Sequence, residues 1–252
     1  MRRWLCCFVI LALAGCSKQS GSGEKGVTGS NTIQLSISNI VNGKPMVLND
    51  STYYNAVGEA FTVTAFKYYL SNFSLLTTDG KTITLPKSYF LVNQADSNSC
   101  KLALSGIPDG AYQSLSFLIG VDSLTNAAGP QTGALDVVNG MYWAWNSGYI
   151  NAKFEGTSPA STATAHLLQF HIGGFMAPSN TIRKVSLDLA QPQIWAGGIH
   201  SIQATADLYN WFDAPNPISF AKFSGTMEPN ADAMKVADNY QQMFMITSIT
   251  TP

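Results

Sequence analysis

The sequence predicts an all-β protein, an antiparallel β-sandwich with one short helix in its C-terminal region. Apolar and polar residues alternate in many short segments, as they do when a strand buries one of its two faces. Turn sequences such as Asn42-Gly43, Asp79-Gly80 and Pro108-Asp109-Gly110 separate these segments, which is typical of a sandwich. The predicted strands cover residues 33–40, 61–66, 81–85, 88–92, 112–119, 149–154, 183–189 and 202–208.

The first 16 residues are expected to be removed from the mature protein. They combine a basic start, an apolar run too short to span a bilayer and a small-residue cleavage site, which together predict a secretory signal. The last four, Leu13-Ala14-Gly15-Cys16, resemble the bacterial lipobox, in which the cysteine is acylated. We therefore expect lipidation at Cys16 and anchoring to a membrane of the bacterial cell envelope. The alternative is an ordinary secretory signal that contains a cysteine by chance.

The rest of the chain divides into a tether and one domain. Residues 17–31 are rich in glycine and serine and predict a flexible linker. Residues 32–252 contain no second linker of this kind and predict a single β-sandwich domain. Once the signal is removed and Cys16 is acylated, Cys100 has no partner for an internal disulfide, so it is expected to be a half-buried structural thiol.

Apolar side chains near the C-terminus follow a helical spacing. Met234, Ala237, Tyr240 and Phe244 recur at intervals of three and four residues. This pattern predicts one amphipathic helix within residues 228–244, in the connection before the last strand.

Charge and motifs exclude several classes of function. Without Arg2 and Arg3, the mature chain has 12 basic and 15 acidic residues, and this mild acidity does not favour nucleic acid as a partner. The sequence contains no nucleophile elbow, phosphate-binding loop, His-Glu-x-x-His or Cys-x-x-Cys motif, so we do not expect an enzyme. Asp122 and Asp136, in the long connection 120–140, are expected to cap backbone amides.

Soft and imidazole ligands are concentrated beside tryptophans in two segments, residues 141–150 and 169–175, which are expected to form neighbouring strands. Methionine and histidine side chains suit copper better than hard cations. In an extended segment Met141, Trp143 and Trp145 share one face and line one pocket, although such residues also commonly serve as core.

Of the three histidines, His171 is the first choice as a copper ligand. The glycines that follow it, Gly173 and Gly174, allow the close backbone approach that a shaped site needs. The alternative is a histidine satisfied by backbone hydrogen bonds. His166 lies an odd number of residues earlier and reaches the same metal only across a bulge, whereas His200 is expected to be exposed at a strand end. A site with a small number of soft ligands favours Cu(I) over zinc.

Several segments, in order along the chain, carry a resemblance to a known family. The most specific are Gly120-Val121-Asp122-Ser123 and Met141-Tyr142-Trp143-Ala144-Trp145-Asn146-Ser147-Gly148-Tyr149. Others are Lys67-Tyr68-Tyr69-Leu70-Ser71-Asn72-Phe73-Ser74-Leu75, Ile107-Pro108-Asp109-Gly110-Ala111-Tyr112, Gln131-Thr132-Gly133-Ala134-Leu135-Asp136, His171-Ile172-Gly173-Gly174-Phe175 and Ala237-Asp238-Asn239-Tyr240. Together they resemble the MbnP-like family of periplasmic copper-binding proteins associated with methanobactin operons.

This resemblance implies an exported β-rich domain with a copper site. It also implies a di-haem cytochrome peroxidase-like partner that oxidises a tryptophan to kynurenine, which then helps to hold the metal; Trp143 is the candidate here. The chain departs from the family at two positions. Some members have a histidine in the loop where this chain has Thr125-Asn126-Ala127-Ala128, and they have another near Ser38 and Asn39.

Three hypotheses follow for the function. The first is a lipid-anchored envelope protein that binds copper through His171, with help from Trp143, Met141 and His166, and acts as substrate of the oxidase. The second is a surface module that binds glycan or protein. Its stacking residues are expected to be exposed Trp195, Trp211, Tyr53 and Tyr54. The third is a structural envelope lipoprotein without a metal.

Overall fold

Strands and short helices alternate through residues 29–146 and 148–251, which are the residues that the computed structural model describes. The predicted signal peptide, the lipidation site at Cys16 and most of the predicted linker 17–31 lie outside these residues. The strands are β1 Asn31–Val41, β2 Lys44–Pro45, β3 Tyr53–Tyr54, β4 Ala60–Thr77, β5 Thr82–Thr84, β6 Tyr89–Asn93, β7 Lys101–Ile107, β8 Gly110–Ile119, β9 Tyr142–Trp143, β10 Gly148–Thr157, β11 Leu167–Gly173, β12 Arg183–Trp195, β13 Gly198–Asp207, β14 Gly225–Thr226 and β15 Phe244–Thr250. The α-helices are α1 Ser123–Ala127 and α2 Ala231–Tyr240.

Two sheets form the predicted sandwich. The smaller sheet has the order β15-β13-β1-β2, with β7 also paired to β1. The larger has the order β12-β8-β4-β10-β11-β14, with β3, β5 and β6 on β4 and β9 on β10. Most pairs are antiparallel, but β1 pairs with β13 and β11 with β14 in parallel. Local alternation predicts strands but not their partners, so it could not reveal these two parallel pairs.

Alternating side chains build the main core between the sheets. In β1, Ile33, Leu35 and Ile37 are buried, while the residues between them are partly or fully exposed, as the sequence pattern predicts. The same core contains Phe66 and Tyr68 of β4. The Tyr68 hydroxyl donates to Asn39 Oδ1 of β1 at 2.8 Å, which joins the two sheets inside the core.

The other face of the large sheet carries a second apolar cluster. Tyr69, which follows Tyr68 in β4, points to this opposite face because successive strand residues alternate. The connection between β8 and β9 folds over it and contains α1 and two 3-10 turns. The cluster consists of Tyr69, Val121, Leu135, Met141, Trp143, Tyr149 and Ile150.

A buried asparagine joins this covering loop to the sheet. The pairing of β10 with β11 shifts between Ile150 and Ala152, so Asn151 occupies a bulge. Its Oδ1 accepts from the Val121 amide at 3.1 Å, and its Nδ2 donates to Gly174 O at 3.2 Å and to Thr181 Oγ1 at 3.0 Å. One fully buried side chain therefore links three separate segments.

The predicted C-terminal helix is confirmed, with shorter bounds. Helix α2 begins after Asn230, whose side chain accepts from the Ala233 amide, and it ends at Tyr240. Phe244 belongs instead to β15, which pairs with β13 at the edge of the small sheet. Pairing and burial at that edge outweigh the helical spacing of Phe244. No helix among the described residues is long and apolar enough to span a membrane.

We expect Asn151→Ala to lower the free energy of unfolding by about 1–3 kcal/mol, because it leaves the buried Val121 amide without its side-chain partner. Chemical denaturation measures this difference. Asn98→Ala, in an exposed turn, is the matched control and should change little. Equal stability of the two variants would show that Asn151 does not hold the covering loop.

Candidate functional site

His171 lies on the outer face of the large sheet, in a row of charged side chains. The strand register sets His171 of β11 opposite Lys153 of β10, and Lys153 opposite Lys67 of β4. The His171 side chain is only 12% exposed, and its Nε2 lies 2.7 Å from Glu155 Oε1. Lys153 Nζ lies 3.6 Å from the same oxygen. Histidine, carboxylate and ammonium thus form one connected group.

Electrostatic effects in this group favour the ionised carboxylate. The hydrogen bond from His171 is the largest cause that lowers the pKa of Glu155; burial opposes it, and the Lys153 charge adds to it. Burial lowers the pKa of Lys153, while Glu155 raises it. Lys153 donates to Gly140 O at 2.8 Å, so the charged group also holds the end of the covering loop.

Trp143 lies beside the same face of β11. Its indole is 5% exposed and belongs to the second cluster. Indole atoms Cζ3 and Cη2 lie 2.5 Å and 2.8 Å from the position that a Cβ of Gly173 would occupy. Gly173 and His171 are two residues apart and share a strand face, at a spacing of roughly 7 Å. The indole and the imidazole therefore occupy neighbouring positions.

The other two predicted ligands have different surroundings. Met141 is fully buried in the second cluster with Trp143, so its thioether is enclosed by apolar side chains. His166 is exposed in a 3-10 turn, where its Nδ1 lies 2.9 Å from Ser161 O. Four residue steps along β11 span roughly 13 Å between Leu167 and His171. The structure therefore gathers Met141 and Trp143 near one end of β11 and leaves His166 at the other.

Few metal donors lie around His171. Glu155 is the one carboxylate in contact with His171, and no group of three or more His, Cys, Asp and Glu side chains suitable for a metal occurs within residues 29–146 and 148–251. Imidazole and carboxylate donors suit Cu(II), whereas a structural zinc site requires four ligands. A copper ion at this position would have one imidazole and one carboxylate as its protein ligands.

A surface cleft adjoins Trp143 on the side away from the main core. Its volume is about 510 Å³. The Trp143 and Trp145 rings lie 5.5 Å apart at 42°, and Trp145 is 64% exposed. The cleft is lined by Trp143, Trp145, Asn146, Gly148, Gly174, Phe175, Met176, Ala177, Pro178, Ser179, Glu228 and Pro229.

Sequence reasoning missed two asparagines that shape this region. Asn126 Oδ1 accepts from the Tyr149 amide at 2.9 Å, and Asn151 links the ends of the loops as described above. Both asparagines are buried. The signal for Asn151 was an amide side chain within the apolar run 149–154, since a buried polar group requires partners. Asn126 had no comparable signal, because it lies in a polar loop.

Two expectations about aromatic and histidine residues were wrong. Trp195, Trp211 and Tyr53 are buried in the main core, so they cannot serve as stacking platforms; only Tyr54 of that set is exposed. His200 is buried, not exposed. Its ring stacks on Trp195, and its Nε2 lies 2.9 Å from Asn31 Oδ1.

The neighbouring strand explains the burial of His200. Strand β1 covers the start of β13, and Ile33 lies opposite His200. Burial lowers the pKa of His200.

Expectations about the remaining polar residues are confirmed. Asp122 caps α1 by accepting from the Thr125 amide, and Asp136 accepts from the Val138 amide. Cys100 is half-buried and forms no disulfide among the described residues, and burial raises the pKa of its thiol. A thiol with a raised pKa is a poor nucleophile.

We expect Glu155→Gln to lower the free energy of unfolding by about 1 kcal/mol at neutral pH, a small effect because the Glu155 side chain is 33% exposed. The lowered pKa of Glu155 means that its ionised form stabilises the fold above its ordinary pKa of 4.5. This stabilisation is lost as the pH falls through the lowered value, so the two proteins should converge in acid.

Denaturation curves from neutral to acidic pH measure this convergence. Asp188→Asn, at an exposed carboxylate of β12, provides the control and should keep a constant difference from wild type. A constant difference for Glu155→Gln as well would contradict the role assigned to the carboxylate.

The domain is similar to known proteins over most of its length. The family model described as MbnP matches residues 30–231. Among solved structures, the chain is similar to MbnP from Methylosinus trichosporium, with 15% identity and a TM-score of 0.48, over 81% of this chain and 86% of that chain. No curated protein sequence matches the chain. Because the family model matches well over half of its residues, the chain belongs to the MbnP family.

Proposed function

We propose that this protein is a cell-envelope lipoprotein, anchored through Cys16, that binds copper at His171 and serves as substrate for the oxidation of Trp143 to kynurenine. Membership in the MbnP family supports a methanobactin-associated role. The observation that carries the proposal is the position of the Trp143 indole against Gly173, two residues from His171 on the same strand face. A metal at the imidazole and a modified side chain at 143 would be neighbours.

His171 and Glu155 hold the copper in this proposal. The imidazole Nε2 that now contacts Glu155 would turn to the metal, and the carboxylate would supply a second donor and negative charge. The fully buried thioether of Met141 favours Cu(I) only if the second cluster opens toward His171. The exposed thioether of Met176 lies in the cleft beside Trp143. The proposal therefore includes both oxidation states, which titration distinguishes.

Trp143 is the residue that the partner modifies in this proposal. A di-haem cytochrome peroxidase-like oxidase is the expected partner, and this chain is substrate and carrier rather than catalyst. Two molecules of hydrogen peroxide each transfer one oxygen atom to the indole and are reduced to water, which cleaves the C2–C3 bond and gives N-formylkynurenine. Hydrolysis then releases C2 as formate and leaves kynurenine. The cleft gives access to the Trp143 ring, whose largely buried position limits oxidation by freely diffusing reagents.

We expect His171→Ala to abolish specific copper binding, because it removes the only imidazole at the site. Competition titrations with a chromophoric chelator, carried out separately with Cu(II) and Cu(I), measure the affinities. Glu155→Gln should weaken binding by about 10–100-fold, because the amide that replaces the second donor carries no negative charge.

The matched control is His166→Ala, because His166 is exposed at the opposite end of β11. Equal affinities of wild type and His171→Ala would exclude His171 as the ligand. The hypothesis of a structural lipoprotein without a metal would then take the place of the proposal.

A second measurement tests the modification itself. Intact-mass and peptide mass spectrometry of protein from the native host should find kynurenine at Trp143, and should find unmodified tryptophan when the di-haem oxidase is deleted. Trp143→Phe should remove the modification without removing the copper bound by His171. An unmodified Trp143 in a host that expresses the oxidase would contradict this part of the proposal.

A further inference from the structure

We infer that the cleft beside Trp143 is a binding site for a small organic cation, with an ammonium as the recognised group. This inference goes beyond the proposed copper function, since it concerns the cleft rather than His171 and does not require a metal. The cleft volume of about 510 Å³ suits one small ligand. Its aromatic wall and its single ionisable side chain determine the class of that ligand.

The aromatic wall has a face available to a ligand. Trp145 is 64% exposed although it is a large apolar side chain, and its ring lies 5.5 Å from that of the buried Trp143, tilted by 42°. Phe175 and Met176 belong to the segment of the cleft lining that faces the tryptophans, and Met176 is also 64% exposed. Indole faces carry a negative quadrupole that attracts cations, and thioethers are polarisable. A ligand that covers such exposed groups gains more binding free energy than one that contacts groups already buried.

The charge of the cleft also favours a cationic ligand. Glu228 is the one ionisable residue in its lining, and it is exposed. The N-terminus of α2 follows directly, but its partial positive charge is opposed by the Asn230 cap and by Asp232 in the first turn. An ammonium ligand would be attracted both by the Glu228 carboxylate and by the indole face. A neutral ligand of equal shape would gain only from stacking, and an anion would be repelled.

The cleft is held open by hydrogen bonds below its lining. Asn151 donates to Gly174 O, and Ser123 Oγ donates to Phe175 O at 2.8 Å, so the facing segment is fixed at two consecutive residues. Gly174 has φ +120°, and a Cβ there would lie 2.2 Å from Ser179 O and 3.0 Å from Pro229 Cβ. Only glycine allows this close approach. A preformed site loses little free energy to ordering when a ligand binds.

The test compares three small probes on the mature, metal-free protein: choline, its neutral isostere 3,3-dimethylbutanol, and the neutral sugar methyl glucoside. Ligand-observed NMR and tryptophan fluorescence measure binding. Choline should bind saturably, and the neutral isostere should bind about tenfold more weakly. Stronger binding of methyl glucoside, or equal binding of choline and its isostere, would overturn the assignment to a cation, as would the lack of a saturable response to choline.

Variants locate the site. Trp145→Ala and Glu228→Gln should each weaken choline binding by about tenfold, while Asp188→Asn, at a carboxylate on β12 outside the cleft, should not. Both changes fall on exposed side chains, so the variants should fold; circular dichroism verifies this. His171→Ala should leave choline binding unchanged. Copper binding and choline binding can therefore fail independently. Unchanged affinity in both cleft variants would show that choline binds elsewhere.

Discussion

The buried amide of Asn151 is the constraint on which the outer face of the large sheet depends. A bulge in β10 removes this residue from regular pairing, and its side chain then bonds to segments that begin the covering loop and the turn after β11. A buried polar group without partners is costly, so the Val121 amide and the Asn151 side chain satisfy each other only in this arrangement. The second cluster, the cleft wall and the position of Trp143 all follow from it.

The same arrangement couples His171 to the covering loop. Glu155 contacts both His171 and Lys153, and Lys153 in turn donates to Gly140 O, next to Met141 in the second cluster. In the proposed copper site His171 and Glu155 would both turn to the metal, and Lys153 would keep its hydrogen bond to Gly140 O. The proposed site would in this way be linked to the end of the loop that carries Met141 and Trp143.

Strands and the C-terminal helix could be predicted from the sequence because their signals are local. The alternation in β1 and the turn at Asn42-Gly43 contain their own physical cause, which is burial of one face and a left-handed turn. Partners are not local. The parallel pair of β1 with β13 buried His200, and the pairing of β15 shortened the predicted helix at Phe244. Both errors arose because the sequence pattern does not show which distant strands pair.

The candidate site shows the same division between local and distant causes. The strand that carries His171 was predicted, but the single strand expected over 141–150 was wrong, because the chain turns at residues 144–146 and Trp143 lies in β9, which pairs with β10. The sequence also could not show that Glu155 contacts the His171 imidazole or that Met141 is buried in the second cluster. Trp143 connects both proposals, because it faces β11 on one side and lines the cleft, next to Trp145, on the other. Oxidation of its indole would replace a fused ring by a smaller, more polar one. A change made for the metal would therefore also reshape the wall against which an organic cation binds.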